Sequence, residues 1–246
     1  MILLFTDFGA TDLYVPQLKA ALLTEAPGAV ILDLLHEVPA FDVAAGAHLL
    51  AALHGRFPPG SVFLAVVDPG VGGSRRAVVV EAHGQWFVGP DNGLLSVVAA
   101  RAPASRIWRI VWRPADLSDS FHGRDLFAPV AARIADGRLP AGWLQAETGL
   151  EVDFGPADAA RIIHLDRYGN AMTGLRSANA SRQAVLAAGG RTIAYARVFA
   201  AAKPGEPFWY ANSLGLVEIA LREGSAAAAL GLRVGDPVGF AGLTEP

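Results

Sequence analysis

The sequence predicts an α/β N-terminal domain, with a mainly parallel sheet and flanking helices, followed by a smaller all-β, barrel-like domain. Short β-branched runs alternate with helical patterns over roughly the first 140 residues, which is typical of parallel strands joined by helices. Beyond Pro140 the helical patterns fade, and short strands alternate with glycine-rich turns. A polar segment rich in helix breakers near residues 146–158 separates the halves. We therefore assign residues 1–150 to the first domain and 151–246 to the second.

The elements of the first half follow one another in a regular order. Strands and helices alternate over residues 2–5, 13–25, 30–34, 42–53 and 62–67. A hairpin is then predicted, because the apolar runs 77–82 and 85–88 are joined by His83 and Gly84. A helix opening at Leu94, a strand over 106–110 and a helix over 127–135 complete this half. In the second half, strands are predicted over 162–165, 192–196, 208–210 and 216–220.

Composition limits the partners that the protein can have. The 246 residues carry a net charge of −3 with 17% charged residues, which argues against a nucleic-acid surface and favours a small molecule. The chain has no cysteine, which excludes disulfides and thiolate sites and fits the cytoplasm. The first residues form strand-like sequence at once, and no apolar run approaches the roughly 18 residues of a membrane span. With 52% hydrophobic residues, we expect a soluble homo-oligomer.

Three loops carry groups that suit catalysis, and the first two follow an apolar run. They are residues 6–12, 66–75 and 121–125, and they contain Asp7, Asp68, Arg75 and His122 among other polar groups. Parallel strands would deliver such loops to one edge of a sheet. Asp68 could simply cap a tight turn, but an aspartate paired with Arg75 stays ionised and oriented. Asp7 could cap a helix or accept hydrogen bonds from a ribose diol.

The histidine and aromatic residues can also be either structural or functional. We interpret five of the six histidines as core or surface residues: His36, His48, His54, His83 and His164. His122 differs, because Ser120, Gly123, Arg124 and Asp125 surround it in a loop that opens a helix. In the second half, residues 166–170 follow a strand, and residues 208–213 join three aromatics to Asn212 and Ser213. Aromatic clusters are usually core, but these polar neighbours would also suit a stacked purine.

Taken together and in this order, the motifs resemble the S-adenosylmethionine (SAM) hydroxide adenosyltransferases, or SAM hydrolases, relatives of the fluorinating and chlorinating enzymes. The resemblance runs nearly end to end. It rests on Thr6-Asp7-Phe8-Gly9, Asp68-Pro69-Gly70-Val71-Gly72 with Arg75, Gly89 to Leu94, Phe121-His122-Gly123-Arg124-Asp125, Asp166 to Asn170, Asn212-Ser213-Leu214-Gly215, and Leu230-Gly231 with Gly235-Asp236.

The resemblance implies cofactor-free hydrolysis of SAM to adenosine and methionine, by attack of water or hydroxide at the ribose C5′. It implies a homotrimer whose active sites lie between one subunit's N-domain and its neighbour's C-domain. The family's catalytic triad falls on Asp68, Arg75 and His122. The substrate-binding positions fall on Asp7, Phe41, Asp166, Tyr168, Asn170, Phe199, Asn212 and Ser213. Tyr168, where related enzymes often have phenylalanine, and Thr173-Gly174, in place of a common Thr-Asn, depart from the family pattern.

The departures from the halogenating relatives point away from halogenation. The triad is present here, and the short segment from His83 to Gly89 leaves no room for the extra loop of those enzymes. Two other functions compete with hydrolysis of SAM. One is a metal-dependent phosphohydrolase that uses Asp7, Asp12, Asp68 and His122 as ligands. The other is a SAM or adenosine sensor without turnover.

Overall fold

The computed structural model describes residues 1–240 and divides the chain into two compact units. The first unit runs from Met1 to Ala157, and the second begins at Asp158. Within the described part of the chain, no helix is both long and apolar enough to cross a membrane.

The first unit contains a seven-stranded sheet and four α-helices. Its strands are β1 (Ile2–Thr6), β2 (Ile31–Leu35), β3 (Val62–Val66), β4 (Ala77–Ala82), β5 (Gln85–Pro90), β6 (Ser105–Ile110) and β7 (Leu144–Glu147). Its helices are α1 (Tyr14–Glu25), α2 (Val43–Leu53), α3 (Ser96–Ala100) and α4 (Ala128–Ala135). The order across the sheet is β2-β1-β3-β5-β4-β6-β7.

The predicted mainly parallel sheet is wrong, because strand direction changes halfway across. Strands β2, β1, β3 and β5 are parallel neighbours, whereas β5, β4, β6 and β7 pair antiparallel. The hairpin at His83 and Gly84, which is confirmed, reverses the chain and places β4 against β5 in the opposite direction. Both sheets of the protein are mixed and its helices are few, so the fold class is two mixed seven-stranded sheets, one of them nearly closed into a barrel.

The sheet of the first unit is covered on both faces, which explains its continuous apolar strands. Residues on one face, such as Leu4 and Leu64, pack with Leu18 of α1 and with Val130 of α4. Alternate residues of the same strands are equally buried, including Leu3, Phe5 and Phe63. On this other face Gly46 of α2 lies against the side chains of Val67 and Leu94, so that the helix packs closely.

The second unit contains a seven-stranded sheet that curls almost into a barrel. Over residues 158–240 its strands are β8 (Ala159–Leu165), β9 (Ala171–Arg176), β10 (Leu186–Ala188), β11 (Arg191–Tyr195), β12 (Pro207–Ala211), β13 (Leu216–Leu221) and β14 (Gly239–Phe240), with one α-helix, α5 (Ala226–Leu230). The order is β14-β10-β11-β12-β13-β9-β8, and β11 and β12 form its parallel pair. Backbone hydrogen bonds from β8 to residues 235–238 bring the two edges together.

Candidate active site

The parallel pair β1 and β3 delivers two aspartates to the same edge of the first sheet. Thr6 pairs with Val66, the last residues of the two strands. Asp7 follows directly after β1, and Asp68 lies two residues after the end of the neighbouring strand β3. The amide of Asp7 donates to the Val66 carbonyl over 3.4 Å. Loops at the carboxyl ends of parallel strands are the usual location of ligand sites in such sheets.

Gly72 explains how the loop after β3 reaches the third motif. Its φ of +78° lies in the left-handed region, and a Cβ there would collide with the carbonyl oxygen of Asp119. Only glycine avoids both the strained backbone and the collision. The loop that carries Asp68 and Arg75 can therefore lie directly against the segment that leads to His122.

Asp68 and Arg75 form a buried ion pair. Arg75 Nε lies 3.0 Å from each carboxylate oxygen of Asp68, and Arg75 Nη2 also donates to Oδ2. The side chains are 4% and 11% exposed, respectively. The guanidinium also lies over the Phe127 ring, 5.2 Å from its centroid. Because Arg75 is held from two sides, it fixes the orientation of the carboxylate as predicted from sequence.

His122 completes this arrangement. Arg75 Nη2 lies 2.9 Å from His122 Nδ1, and a guanidinium can only donate, so Nδ1 accepts this hydrogen bond. Burial, followed by the positive charge of Arg75, lowers the pKa of His122, and Asp68 offsets this only in part. The neutral ring therefore carries its proton on Nε2. A π-helical turn, Gly123–Phe127, begins directly after His122 and leads into α4.

Asp7 faces the same pocket and is tied to Phe41. The Phe41 amide donates to Asp7 Oδ2 over 3.1 Å. Burial raises the pKa of Asp7, the Phe41 amide opposes this, and the nearby charge of Asp68 adds to the increase. Phe41 adopts a φ of +63°, which is unusual for a residue with a side chain, and its ring is 73% exposed.

The pocket between these residues has a volume of about 340 Å³. Its polar lining includes Asp7, Asp68 and His122. Its wall includes Phe8, Tyr14 and Phe121, whose ring centroids lie 5.4 to 5.8 Å apart. No role was predicted from the sequence for these three aromatic residues, although Phe8 and Phe121 lie within two of the motifs described above.

Arg124 and Asp125 support the aromatic wall. Arg124 donates to Asp125 from Nη2 over 3.0 Å and to Gln17 of α1 over 2.9 Å. Its guanidinium lies 5.1 Å from the centroid of the Phe121 ring. Arg124 and Asp125 are not among the residues that line the pocket. These two neighbours of His122 therefore support the aromatic wall and do not face the pocket themselves.

The second unit brings some of its predicted residues together. Tyr168, Asn170 and Phe199 line one cavity of about 520 Å³. Asp166 lies behind it and accepts hydrogen bonds from the amides of Tyr168 and Asn170 and from the Asn170 side chain, all at 2.8 to 2.9 Å. Asp166 therefore shapes the turn that presents Tyr168, whose side chain is 77% exposed.

Asn212 and Ser213 lie outside the lining of this cavity. Asn212 Oδ1 accepts from the amides of Leu214 and Leu216, and Asn212 Nδ2 donates over 2.7 Å to the buried carboxylate of Glu218. Tyr210 donates to the other oxygen of Glu218. The sequence analysis missed Glu218, because a single glutamate within an apolar strand gives no pattern of its own.

Asp7, Asp68 and His122 border one pocket, but the candidate metal ligands do not form a metal-binding group. Within residues 1–240, no group of three or more His, Asp or Glu side chains lies close enough to hold a metal ion. Asp12 is exposed and accepts from the amide of Leu13 over 2.6 Å. Asp68 is engaged by Arg75 instead, as the sequence analysis anticipated.

The fold and the pocket define a class of two-unit proteins in which an oriented carboxylate, a guanidinium and a neutral imidazole border an aromatic-walled pocket. The SAM hydroxide adenosyltransferase N-terminal domain matches residues 2–142, and the C-terminal domain of the same family matches residues 160–239. The chain belongs to this family.

Similar proteins agree with this membership over nearly the whole chain. A protein of Thermus thermophilus named (R)-S-adenosyl-L-methionine hydrolase is 39% identical, over 95% of this chain and 96% of the relative. A protein of Salinispora arenicola with the same name is 37% identical, over 94% of each chain. The crystal structure of an uncharacterized conserved protein from Thermotoga maritima superposes with a TM-score of 0.86 at 33% identity, covering 98% of this chain and 99% of that one.

Proposed function

We propose that this chain hydrolyses SAM to adenosine and methionine, using Asp68, Arg75 and His122 as the catalytic residues. Membership of the SAM hydroxide adenosyltransferase family supports the reaction, and so do near full-length relatives named for hydrolysis of SAM. The observation that carries the mechanism is the hydrogen-bonded series Asp68, Arg75 and His122, whose two ends line one pocket with Asp7.

The chemistry requires an activated and aligned nucleophile. A sulfonium is a good leaving group, so the barrier lies mainly in bringing a water oxygen behind C5′ with its proton directed to an acceptor. The oxygen forms a bond to C5′ while the bond from C5′ to sulfur breaks, and methionine leaves with that electron pair. The water proton must then pass to the protein or to solvent.

The tautomer of His122 supports Asp68 as the proton acceptor. Nδ1 accepts from Arg75, and the neutral ring already carries its proton on Nε2, so His122 has no free nitrogen to take a second proton. His122 therefore donates to the water oxygen and holds it in line. Two carboxylates, Asp7 and Asp68, line the pocket; because Asp7 is proposed to bind the ribose, Asp68 is the proposed acceptor, and Arg75 orients it. Asp7 binds the ribose hydroxyls, and Phe41 lines the pocket beside it.

The residues of the second unit complete the proposed substrate site. Tyr168, Asn170 and Phe199 line its cavity, and they, with Asp166, Asn212 and Ser213, are assigned to the adenine and methionine ends of SAM. We place the active sites in a homotrimer, each between the first unit of one subunit and the second unit of its neighbour. The exposed rings of Phe41 and Tyr168 support such an assembly. The proposed compartment is the cytoplasm.

The reaction is tested by incubating the protein with SAM in water labelled with heavy oxygen. We expect adenosine that carries the label at O5′, together with methionine, and the same yield with a chelator present. Asp68→Ala should abolish both products. The matched control is Asp12→Asn, which keeps an acceptor for the Leu13 amide and should retain full activity. A metal-dependent enzyme would lose activity with the chelator and with Asp12→Asn, whereas a sensor would bind SAM without forming adenosine.

The shared site is tested by mixing two inactive variants. Asp68→Ala removes a group of the first unit, and Asn170→Ala removes one of the second. If each site combines units from two subunits, refolding the two variants together should restore part of the activity that neither has alone. Size-exclusion chromatography with light scattering gives the oligomeric state in the same experiment. A monomer, or a mixture as inactive as its components, would contradict the trimeric site.

A further inference from the structure

A series of hydrogen bonds runs from the surface of the first unit to the end of β1, beside the pocket. His36 Nδ1 lies 2.8 Å from Thr6 Oγ1, and His36 Nε2 lies 3.0 Å from Asp33 Oδ1. Thr6 is fully buried, and His36 is 6% exposed. Asp33 lies at the surface, where Lys19 Nζ is 2.6 Å from its other oxygen. Such a buried polar series is costly unless every member is satisfied.

The His36 ring joins the surface carboxylate of Asp33 to the buried hydroxyl of Thr6. Partial burial raises the pKa of Asp33, but hydrogen bonds from Lys19 and His36 outweigh it and lower the pKa, so Asp33 is an ionised acceptor. His36 Nε2 therefore donates to Asp33. Nδ1 of the same ring is hydrogen-bonded to the Thr6 hydroxyl, whose oxygen also accepts the Phe8 amide over 3.3 Å.

The same two residues hold the turn after β1 through the backbone. The carbonyl of His36 accepts the Gly9 amide over 2.7 Å, and the carbonyl of Thr6 accepts the Val38 amide over 3.2 Å. The turn between them contains Asp7 and Phe8, which both line the pocket. A histidine that sequence analysis assigns to the core is therefore attached to the catalytic pocket by its ring and by its carbonyl.

We propose that Thr6, His36 and Asp33 are positioning residues that hold the turn of Asp7 and Phe8 in the geometry required for reaction. The proposal rests on the proposed function, since Asp7 is taken to bind the ribose. None of the three residues is among those lining the pocket. Their effect is on alignment, because C5′ must lie in line with the water held at Asp68, and small misplacements of reacting atoms reduce rates strongly.

The test compares three threonine variants. Thr6→Val keeps the shape of the side chain and removes the hydroxyl, whereas Thr6→Ser keeps the hydroxyl. The matched control is Thr173→Val in the second unit. Thr173 is also fully buried, and its hydroxyl also accepts an amide two residues on, that of Leu175 over 3.2 Å, while donating to the Val217 carbonyl over 2.7 Å. Both valine variants should therefore lose similar stability.

We expect Thr6→Val to reduce kcat/KM for SAM by about ten-fold, on the scale typical of misplaced reacting groups. Thr6→Ser should restore most of this loss, and Thr173→Val should leave kcat/KM unchanged. The backbone amide hydrogens of residues 6–9 should exchange with solvent faster in Thr6→Val than in the wild-type protein, and they should not do so in Thr6→Ser. Equal kcat/KM in Thr6→Val and the wild-type protein, or failure of serine to restore it, would overturn the proposal.

The exchange measurement separates this proposal from the proposed function. If the wild-type protein forms no adenosine, the hydrolase function fails, and faster exchange at residues 6–9 confined to Thr6→Val still supports the positioning series. If adenosine forms and the exchange and rate of Thr6→Val match those of the wild-type protein, the hydrolase function stands and the positioning series fails. His36→Leu removes the next member of the series and should behave as Thr6→Val does.

Discussion

Asp68 and Glu218 are both buried carboxylates, yet their environments are opposite. The Asp68 side chain is 4% exposed and is paired with a guanidinium. Glu218 is 3% exposed and is held by two neutral donors, the Tyr210 hydroxyl and the Asn212 amide. Burial raises the pKa of Glu218, and its two hydrogen bonds only partly oppose this. No cation neutralises Glu218 among the partners that the structure describes for it.

The difference teaches what a buried carboxylate needs in order to react. Asp68 has a fixed counter-charge and borders the pocket, so one of its oxygens can receive a proton from a bound water. Both carboxylates accept hydrogen bonds on each of their oxygens, but Glu218 does not line the cavity that Tyr168 and Asn170 border. Tyr210 of β12 and Glu218 of β13 lie opposite each other in the sheet. Glu218 therefore links these two strands.

The largest effect should follow from removing the counter-charge of Asp68. Arg75→Ala leaves that carboxylate buried without a partner, so we expect a loss of about 3 kcal/mol in the free energy of unfolding and no measurable adenosine formation. Urea denaturation and the SAM assay measure the two effects. The control is Arg138→Ala, whose side chain is 60% exposed in an ion pair with Asp136, and which should cost less than about 1 kcal/mol. Equal losses in the two variants would remove the distinction between Asp68 and an ordinary surface carboxylate.

The pH dependence of the rate should report the environment of His122. Its pKa is lowered by burial and by Arg75, so the ring is still mostly neutral when the pH has fallen to its ordinary value of 6.5. If the neutral ring is the active form, kcat/KM should stay level down to that pH and decline only below it. His122→Asn can still accept from Arg75 but cannot titrate, and it should lack this inflection while losing about 100-fold in rate. A kcat/KM that rises instead of declining as the pH falls below 6.5, and that does not change in the variant, would show that the charged ring is active.

The same comparison shows what the sequence could predict. Asp68, Arg75 and His122 were predicted as site residues because each lies in a loop with glycine, proline or charge beside it, which is a local motif; the family resemblance then implied that they form a triad. The hairpin at His83 and Gly84 was predicted for the same reason and is confirmed. Strand direction, in contrast, is not encoded in a local motif. The periodicity of residues 105–110 or 144–147 does not show that these strands run opposite to their neighbours. The mainly parallel sheet was therefore wrong.

Residues that act through long-range contacts were missed for a similar reason. Glu218 meets Asn212 and Tyr210 only because β12 and β13 pair, and His36 meets Thr6 only because β1 and β2 are neighbours. Glu218 is a single polar residue in an apolar strand, and His36, beside Glu37, has no recognisable motif around it, so the sequence predicts a site role for neither. Phe8, Tyr14 and Phe121 form the wall of the pocket from separate parts of the chain, so their contact could be expected only once the loops were placed.

A smaller effect should follow from changing Glu218 to Gln. Asn212 cannot turn its amide, because its oxygen accepts from Leu214 and Leu216, so the glutamine must turn its NH2 toward Tyr210, whose hydroxyl would then accept instead of donating. We expect a loss of about 1–2 kcal/mol in the free energy of unfolding near neutral pH. Glu206→Gln, with a side chain 65% exposed, is the control and should cost almost nothing.

The sign of the pH dependence follows from the raised pKa of Glu218. The folded state favours the protonated acid, so its stabilising contribution is complete below 4.5, the unfolded value, and is lost as the pH rises through the folded value. Glutamine does not titrate. The stability deficit of Glu218→Gln relative to the wild-type protein should therefore be largest in acid and shrink as the pH rises above 4.5. A deficit that grows with pH would mean that Glu218 is stabilised as an anion, like a carboxylate paired with arginine.

The smallest expected change is spectroscopic and concerns the partner of Glu218. Burial, and then the hydrogen bond to Glu218, raises the pKa of Tyr210 beyond the ordinary range of tyrosine. While the protein stays folded, the ultraviolet tyrosinate titrations of the wild-type protein and of Tyr210→Phe should coincide up to about pH 11, because Tyr210 contributes nothing there. The two curves should separate only when circular dichroism reports unfolding. Separation in the folded protein would mean that Tyr210 ionises beside Glu218, which requires a nearby cation and would make this cluster resemble the site at Asp68 after all.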